Sequence, residues 1–247
     1  MKPTTTLAVS ALAIMLSAAT SASSQAGDPL PPADEVVAKM MRMDLVRRSE
    51  LTGYTAQRRY VAVNQNRRAE MVVRLDCSTE GIKQFTILSE IGSSSIRKHV
   101  FYKMLSEESD ASRRDARDSS RITPANYTFD VVGRETLDTG PAYVMNIIPK
   151  TENKYLIDGR IWVDAKDYSI VRIEGQPARN PSFWVHDVHF VHSYQRVGQF
   201  WFASSTHSTS EVRIFGHSEL TIENSDYTLN QPNNSNAQAE SIARLVR

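Results

Sequence analysis

Three histidines lie within seven residues, at His186, His189 and His192, and this tract is the part of the chain that most resembles a metal-binding motif. Successive residues of a β-strand point to opposite faces, so His186 and His192 would share one face while His189 points to the other. The two histidines on the shared face would be about 20 Å apart. One metal ion cannot bind all three, and the sequence predicts surface or cross-strand polar positions here and no metal site.

The sequence contains none of the common nucleophile or nucleotide-binding motifs. It has no G-x-S-x-G elbow, no G-x-x-x-x-G-K-[ST] loop and no G-x-G-x-x-G turn. Ser93–Ser95 is better explained as a loop that caps a helix. Four carboxylates stand at strand ends, where solvated turn positions are usual: Asp158, Asp164, Asp167 and Glu174. The fold could still assemble an acid and a base, but the sequence predicts no catalytic residue, no enzyme activity and no cofactor.

Large apolar residues keep to alternate positions in the second half of the chain. In a closed sandwich they would simply form the core. In a curled half-barrel covered only by helices, the same face would line a cavity able to accept an acyl chain. The strand residues predicted to bind a hydrophobic ligand are Ile161, Val163, Val171, Ile173, Trp184, Phe190, Phe200 and Phe202.

The elements that would position these residues are about ten strands and two helices. Ala33–Ser49 and Ser95–Ser106 have apolar residues at helical spacing. In the second helix Ile96, Val100 and Met104 share one face, and they complete the predicted ligand-binding set. The predicted strands are Ala56–Val63, Arg68–Cys77, Ile82–Glu90, Tyr127–Thr136, Ala142–Ile148, Lys154–Asp164, Ser169–Glu174, Phe183–Tyr194, Phe200–Ser210 and Val212–Leu229.

Glu107–Arg121 is a polar run with no apolar periodicity, and it predicts a mobile loop or a solvated helix end. No helix is needed between the later strands, so that part of the sheet should be a meander. A large sheet must curl or close to hide its apolar face. The predicted fold class is therefore mainly antiparallel β (α+β), an unclosed, curled half-barrel of about ten strands covered by two amphipathic helices.

The first residues resemble a cleaved export signal. Lys2 precedes the apolar run Leu7–Ala19, and Ala22 or Ala26 offers a cleavage point. The run is shorter than the about 20 residues that cross a bilayer, so a chain that does not span the membrane is expected. The predicted domains are a signal peptide at 1–26, one half-barrel domain at 27–229 and a mostly disordered tail at 230–247.

Charge and cysteine content narrow the expected location and partners. The formal net charge is +1, which steers the whole chain neither to nucleic acid nor to an anionic membrane. The single cysteine, Cys77, lies deep in the chain, so neither a lipid anchor after the apolar run nor an intrachain disulfide is expected. A soluble, exported periplasmic protein with a buried, inert thiol is the prediction.

Several strand and turn motifs resemble the LolA-like outer-membrane lipoprotein-sorting proteins. The stretches are Tyr155–Asp164, Tyr168–Gly175 and Gly198–Trp201, within a similarity that covers most of Tyr127–Tyr227. The resemblance implies an unclosed antiparallel barrel with helices as a lid. It also implies a periplasmic carrier for lipoprotein acyl chains, with an inner-membrane export complex and an outer-membrane receptor as partners. Related sensor domains that bind lipid-like signals are compatible with the same motifs.

The functional hypothesis is that the concave face binds acyl chains of lipoproteins, or a similar lipid, while the helix containing Val100 moves aside. The first alternative is a non-enzymatic envelope sensor or protein-interaction module of the same fold. A secreted hydrolase is the third candidate, and it would need a cleft with a convergent acid and base.

Overall fold

The computed structural model describes residues 29–113, 118–213 and 216–230. The predicted signal peptide lies outside these residues, as do residues 231–247 of the predicted tail. Helix α1 is Ala33–Glu50. Helix α2 comprises three contiguous pieces, Ser94–Ile96, a π-helical turn at Arg97–Phe101 and Tyr102–Ala111. The strands are β1 Tyr54–Asn64, β2 Arg67–Cys77, β3 Lys83–Gly92, β4 Tyr127–Leu137, β5 Gly140–Pro149, β6 Ile157–Asp164, β7 Ile170–Pro177, β8 Val185–Val197, β9 Phe200–Val212 and β10 Gly216–Leu229.

All ten strands form one antiparallel sheet in the order β3-β2-β1-β10-β9-β8-β7-β6-β5-β4. Two meanders, β1–β3 and β4–β10, are joined because the first strand pairs with the last. β3 and β4 are the two edges and do not pair with each other, so the sheet is not closed. The predicted fold class, an unclosed antiparallel half-barrel with two helices, is confirmed.

Strand β6 and strand β7 approach each other closely at a pair of facing glycines. Gly159 stands opposite Gly175 in the register. A Cβ added to Gly159 would lie 2.1 Å from the carbonyl oxygen of Glu174, and one added to Gly175 would lie 2.4 Å from that of Asp158. Neither position can hold a side chain without moving the backbone.

Charged residues at both ends of α1 and a serine at the start of α2 favour these helix boundaries. Asp34 and Glu35 lie in the first turn of α1, and Arg47 and Arg48 lie in its last turn, which matches the helix dipole. At the start of α2 the Ser93 hydroxyl accepts a hydrogen bond from the backbone N–H of Ile96 at 3.5 Å. The helix cap predicted at this serine loop is confirmed.

The structure differs from several predicted element boundaries. Strand β10 begins at Gly216, four residues beyond the predicted start at Val212, which instead ends β9. Helix α2 continues to Ala111, five residues beyond the predicted end. Strand β6 begins at Ile157 because Asn153 and Leu156 form a turn, closed by a 3.0 Å hydrogen bond between their backbone groups. Strand β8 begins at Val185, so the preceding aromatic pair lies in a loop.

Two predictions about single side chains also have clear outcomes. Cys77 is buried, as predicted. Asp164 is a turn residue but is not solvated: it is 7% exposed, and its carboxylate accepts the backbone N–H groups of Lys166 and Asp167 at 2.8 Å each. Within the described residues, no helix is long and apolar enough to cross a membrane.

Candidate functional site

One row of side chains crosses the inner, helix-covered face of the whole sheet. Each member is the register partner of the next on the neighbouring strand. In sheet order from β4 to β3 the row is Val131, Met145, Ile161, Ile173, His192, Thr206, Ile222, Tyr60, Met71 and Glu90. Apart from Glu90 at its β3 end, the row is apolar on both sides of a polar pair at its centre, so the sheet offers two apolar surfaces on one concave face.

Helix α1 covers the first of these surfaces. Val36, Val37 and Met40 pack against strands β4–β7, where Ile161 and Val163 are fully buried. This half of the concave face is therefore a packed core. Complete burial of each such side chain contributes about 1.5–3 kcal/mol.

Helix α2 covers the second surface, on β1–β3. Ile96, Phe101 and Leu105 are buried against a cluster that includes Tyr60 and Met71. Val100 and Met104 contact the same cluster but stay half-buried. The apolar stripe of α2 is therefore wider than the surface it covers, unlike that of a helix packed fully into a core.

The centre of the row carries the polar pair of His192 and Thr206. Nδ1 of His192 lies 2.6 Å from the Thr206 hydroxyl, and the imidazole ring also contacts Phe190, with 4.8 Å between ring centroids. Burial lowers the pKa of His192 to about 4, so the ring is neutral at pH 7. Burial also raises the pKa of the neighbouring Tyr194 to about 12. Both groups are uncharged near the centre of the concave face.

A buried ion cluster ties α2 to the sheet. Glu108 of α2 lies 2.5 Å from Nη1 of Arg58 and 2.6 Å from Nζ of Lys83. Arg58 also donates to the side-chain oxygen of Asn224 at 2.7 Å and to the Tyr60 hydroxyl at 3.1 Å. Burial alone would raise the pKa of Glu108, but the charges of Lys83 and Arg58 outweigh it and lower the pKa to about 2.

Sequence reasoning missed this cluster. Glu108 falls in the polar run predicted to be a mobile loop or a solvated helix end, whereas it lies in the last turns of α2 and its carboxylate is paired with two cations. The available signal was its position, because Glu108 follows Met104 by four residues and so continues the stripe of Val100 and Met104. Arg58 gave a similar signal, since it occupies an inward position of a strand that is otherwise apolar on that face.

The predicted ligand-binding residues divide into several groups. Ile161, Val163, Ile173 and Phe190 lie in or against the core under α1. Ile96, Val100 and Met104 lie at the contact between α2 and the sheet. Phe200 and Phe202 belong to a separate aromatic cluster, in which Phe202 packs between Tyr54 and Tyr227 at centroid distances of 4.7 and 4.8 Å.

Two predicted residues lie away from the inner face. Val171 packs with Trp162, Ala142 and Val144 on the opposite face, because a β-bulge between Trp162 and Val163 of the register makes Val171 the extra residue of β7. Trp184 is 53% exposed in the loop before β8. The three histidines also separate: His192 is in the central groove, His186 lines a cleft at the end of the sheet, and His189 lies at a smaller cleft beside His207.

No protein-family model and no curated protein matches the chain. Solved structures do match it. A DUF1329 family protein from Desulfovibrio piger is 12% identical with a TM-score of 0.44, over 81% of this chain and 94% of that one. An outer membrane lipoprotein-sorting protein domain from Vibrio parahaemolyticus is 12% identical with a TM-score of 0.40, over 83% of this chain and 98% of that one.

A LolA superfamily protein from Nitrosomonas europaea is 10% identical with a TM-score of 0.37, over 83% of this chain and 96% of that one. The chain's own topology is an unclosed antiparallel sheet with two helices on its inner face. That topology is the unclosed antiparallel barrel with helices on one face that the sequence motifs led us to expect.

Proposed function

We propose that this protein is a non-enzymatic periplasmic carrier that binds the acyl chains of lipoproteins, or of a similar lipid, for transfer toward the outer membrane. The observation that carries the proposal is the concave apolar face, which is covered only by two helices that rest on separate halves of the sheet. Phe190 beside the core under α1, and Val100 and Met104 beside the core under α2, are only half-buried and offer apolar contacts to a ligand.

Helix α2 is the cover that we expect to move. It packs on strands β1–β3, which include the sheet edge β3, and on Ile222 of β10, and ion pairs join it to β1 and β3. Lys154 of the β5–β6 loop reaches across to Glu107 at 3.1 Å, so α2 is fastened to both halves of the barrel by charges. The Lys154–Glu107 pair is partly exposed and contributes under about 1 kcal/mol, so it opens more easily than a packed apolar core does.

Displacement of α2 would expose the face that a ligand needs and would also supply the means of release. Each buried methylene contributes about 0.8 kcal/mol, so one acyl chain supplies several kcal/mol of gross binding free energy. Closure of α2 over the empty face buries much of the same surface. The net affinity is lowered by that competition, and a tighter-binding receptor can remove the lipid.

The chemistry of the central pair supports a binding role over catalysis. A hydrolase could use the Thr206 hydroxyl as nucleophile and His192 as its base, and their 2.6 Å separation fits. A base whose pKa is lowered to about 4 is, however, poorly matched to removing a proton from an alcohol at pH 7. We therefore assign the pair to shaping the groove.

The strand β3 favours a second candidate function, a protein-interaction module. Its outer side is unpaired, and Leu88 and Ile91 are 53% and 65% exposed. An exposed apolar edge strand can pair with a strand of a partner protein. In a carrier the same edge would serve the export complex or the receptor.

Native mass spectrometry of the protein purified from its cell envelope, followed by organic extraction, tests the proposal. A carrier is expected to retain acylated peptide or phospholipid, and the extract identifies the class of cargo. A lipid-free mass together with a stably bound partner protein would instead establish the interaction module. Hydrolysis of ester substrates that is lost in Thr206→Ala would establish the hydrolase.

A further inference from the structure

A cleft of about 940 Å³ opens at one end of the sheet, where the β5–β6 loop, the β7–β8 loop and the start of the β9–β10 turn meet. We call it the rim cleft. Its wall includes Lys154, Tyr155, Arg179, Phe183 and Arg213. Its volume is that of a site for a small molecule or a lipid headgroup.

The wall of the rim cleft is positively charged although the whole chain is nearly neutral. It contains Lys154, Arg179 and Arg213 against one carboxylate, Glu152. Lys154 is paired with Glu107 of α2. Among residues 29–113, 118–213 and 216–230, no carboxylate lies within ion-pair distance of Arg179 or Arg213. Two guanidinium groups are therefore available to an anion.

An exposed aromatic pair stands beside these guanidinium groups. Phe183 is 69% exposed and Trp184 is 53% exposed, and their rings meet edge to face at 5.4 Å. The guanidinium carbon of Arg213 lies 4.0 Å from the centre of the Phe183 ring. Aromatic side chains are enriched at the level of the lipid headgroups, between the acyl chains and water. Basic side chains at the same level are attracted to anionic headgroups.

Backbone hydrogen bonds hold the loops of the rim cleft together. The N–H of Arg213 donates to the carbonyl oxygen of Trp184 at 3.0 Å, which joins the β9–β10 turn to the β7–β8 loop. The N–H of Ala178 donates to the carbonyl oxygen of Leu156 at 2.8 Å, which joins the β7–β8 and β5–β6 loops. The cations and the aromatic pair are thus presented on one surface before any ligand arrives.

We propose that the rim cleft docks the protein on a bilayer containing anionic phospholipid, with a lipid phosphate bound by Arg179 and Arg213. Phe183 and Trp184 lie in the interfacial layer of that bilayer. The cleft adjoins the core under α1, because Tyr155 lines the cleft while the next residue, Leu156, is buried in that core. Docking here does not depend on the proposed carrier function, but it would place the concave face beside the membrane.

Co-sedimentation of the full chain with vesicles tests the docking surface. Vesicles of phosphatidylglycerol and phosphatidylethanolamine are compared with vesicles of phosphatidylcholine, at low and high salt. The wild-type chain is expected to bind the anionic vesicles and to be released by salt. The double variant R179Q/R213Q is expected to bind about thirtyfold more weakly, since each basic group near an anionic surface contributes about 1 kcal/mol. F183S/W184S is expected to bind the anionic vesicles more weakly than the wild type. Its residual binding should still be released by salt.

Matched control variants lie at the opposite end of the barrel. Arg196 is an exposed arginine at the far end of β8, and Leu45 is 71% exposed near Arg47, which bonds to the β6–β7 turn. R196Q and L45S should bind vesicles as the wild type does. All variants carry the same residues 1–28 and 231–247, so any contribution of those segments is common to them.

Three results would overturn the docking surface: equal binding by R179Q/R213Q and wild type, equal binding to phosphatidylcholine vesicles, or displacement from vesicles by millimolar inorganic phosphate. The last result would assign the cleft to a soluble anion. Uptake of a fluorescent fatty acid, measured on the same proteins, separates the two proposals. Vesicle binding without fatty-acid uptake would contradict the carrier and leave the docking surface standing.

Discussion

The carboxylate of Glu108, on α2, lies 2.5 Å from the guanidinium group of Arg58, on β1, and the Arg58 side chain is 8% exposed. Removal of one partner from a buried pair leaves the other charge without compensation, which costs about 3–5 kcal/mol. We predict that Glu108→Gln lowers the free energy of unfolding by about 3 kcal/mol. Urea denaturation followed by circular dichroism measures it.

The neighbouring Glu107→Gln is the control for that variant. Its partner Lys154 has a side chain that is 35% exposed, so the pair should contribute under about 1 kcal/mol. If the two variants lowered the free energy of unfolding equally, burial would not make the Arg58–Glu108 pair more stabilising than the exposed pair.

The same pair predicts how α2 responds to acid. The pKa of Glu108 is lowered from an ordinary value of 4.5 to about 2 in the folded protein. Its stabilising effect is therefore complete above pH 4.5 and is lost as the pH falls toward 2. Protection factors of the α2 amides, in which each exchange rate is divided into the intrinsic rate at the same pH, should fall in that window in the wild type and should be low and nearly independent of pH in Glu108→Gln. Loss of protection already at pH 6 would contradict this assignment.

His192 predicts a second acid-sensitive window at higher pH. Its pKa falls from 6.5 to about 4 on folding, so the neutral ring is the form that the fold favours. Stability is fully present above pH 6.5 and declines between pH 6.5 and pH 4, because the unfolded chain binds the proton more tightly. Unfolding free energies of wild type and His192→Gln should differ in slope there, by a few kcal/mol over the window. If the unfolding free energies of the two proteins changed with pH in parallel, the imidazole would be exposed to solvent.

The facing glycines predict a sharp difference between two substitutions by alanine. A Cβ at position 175 would lie 2.4 Å from the carbonyl oxygen of Asp158, whereas one at Gly133 would have no atom within 4 Å. Gly175→Ala should lower the free energy of unfolding by about 3 kcal/mol. Gly133→Ala should change it by less than about 0.5 kcal/mol. Thermal unfolding measures both, and similar melting temperatures would rule out the close approach of β6 and β7.

The strands and helices could be predicted from the sequence because their signals are local. Alternation of apolar and polar residues places each strand to within a few residues, and the stripe of Ile96, Val100 and Met104 places α2. The pairing of β1 with β10 could not be predicted from such patterns, since no local signal links residues so far apart. That pairing brings Arg58 to Asn224 and so helps to build the ion cluster under α2.

The face of the sheet on which a residue lies was harder to predict than the strand to which it belongs. Val171 and Ile173 are two residues apart and should share a face, yet one extra residue in β7 sends them to opposite faces. Aromatic residues favour strands, so the sequence predicts Trp184 in a strand, but it lies in a loop where its carbonyl oxygen accepts a hydrogen bond from the backbone N–H of Arg213. Neither event leaves a signature in the sequence.

Fatty-acid uptake by a charged groove variant tests the carrier most directly. Val100 is half-buried at the contact between α2 and the sheet, and His99 is an exposed neighbour on the same turn. Titration of a fluorescent fatty acid into wild type, Val100→Glu and His99→Glu should give saturable uptake by the first and third and none by the second, at unchanged circular dichroism. Equal uptake by Val100→Glu and wild type would contradict binding of acyl chains between α2 and the sheet.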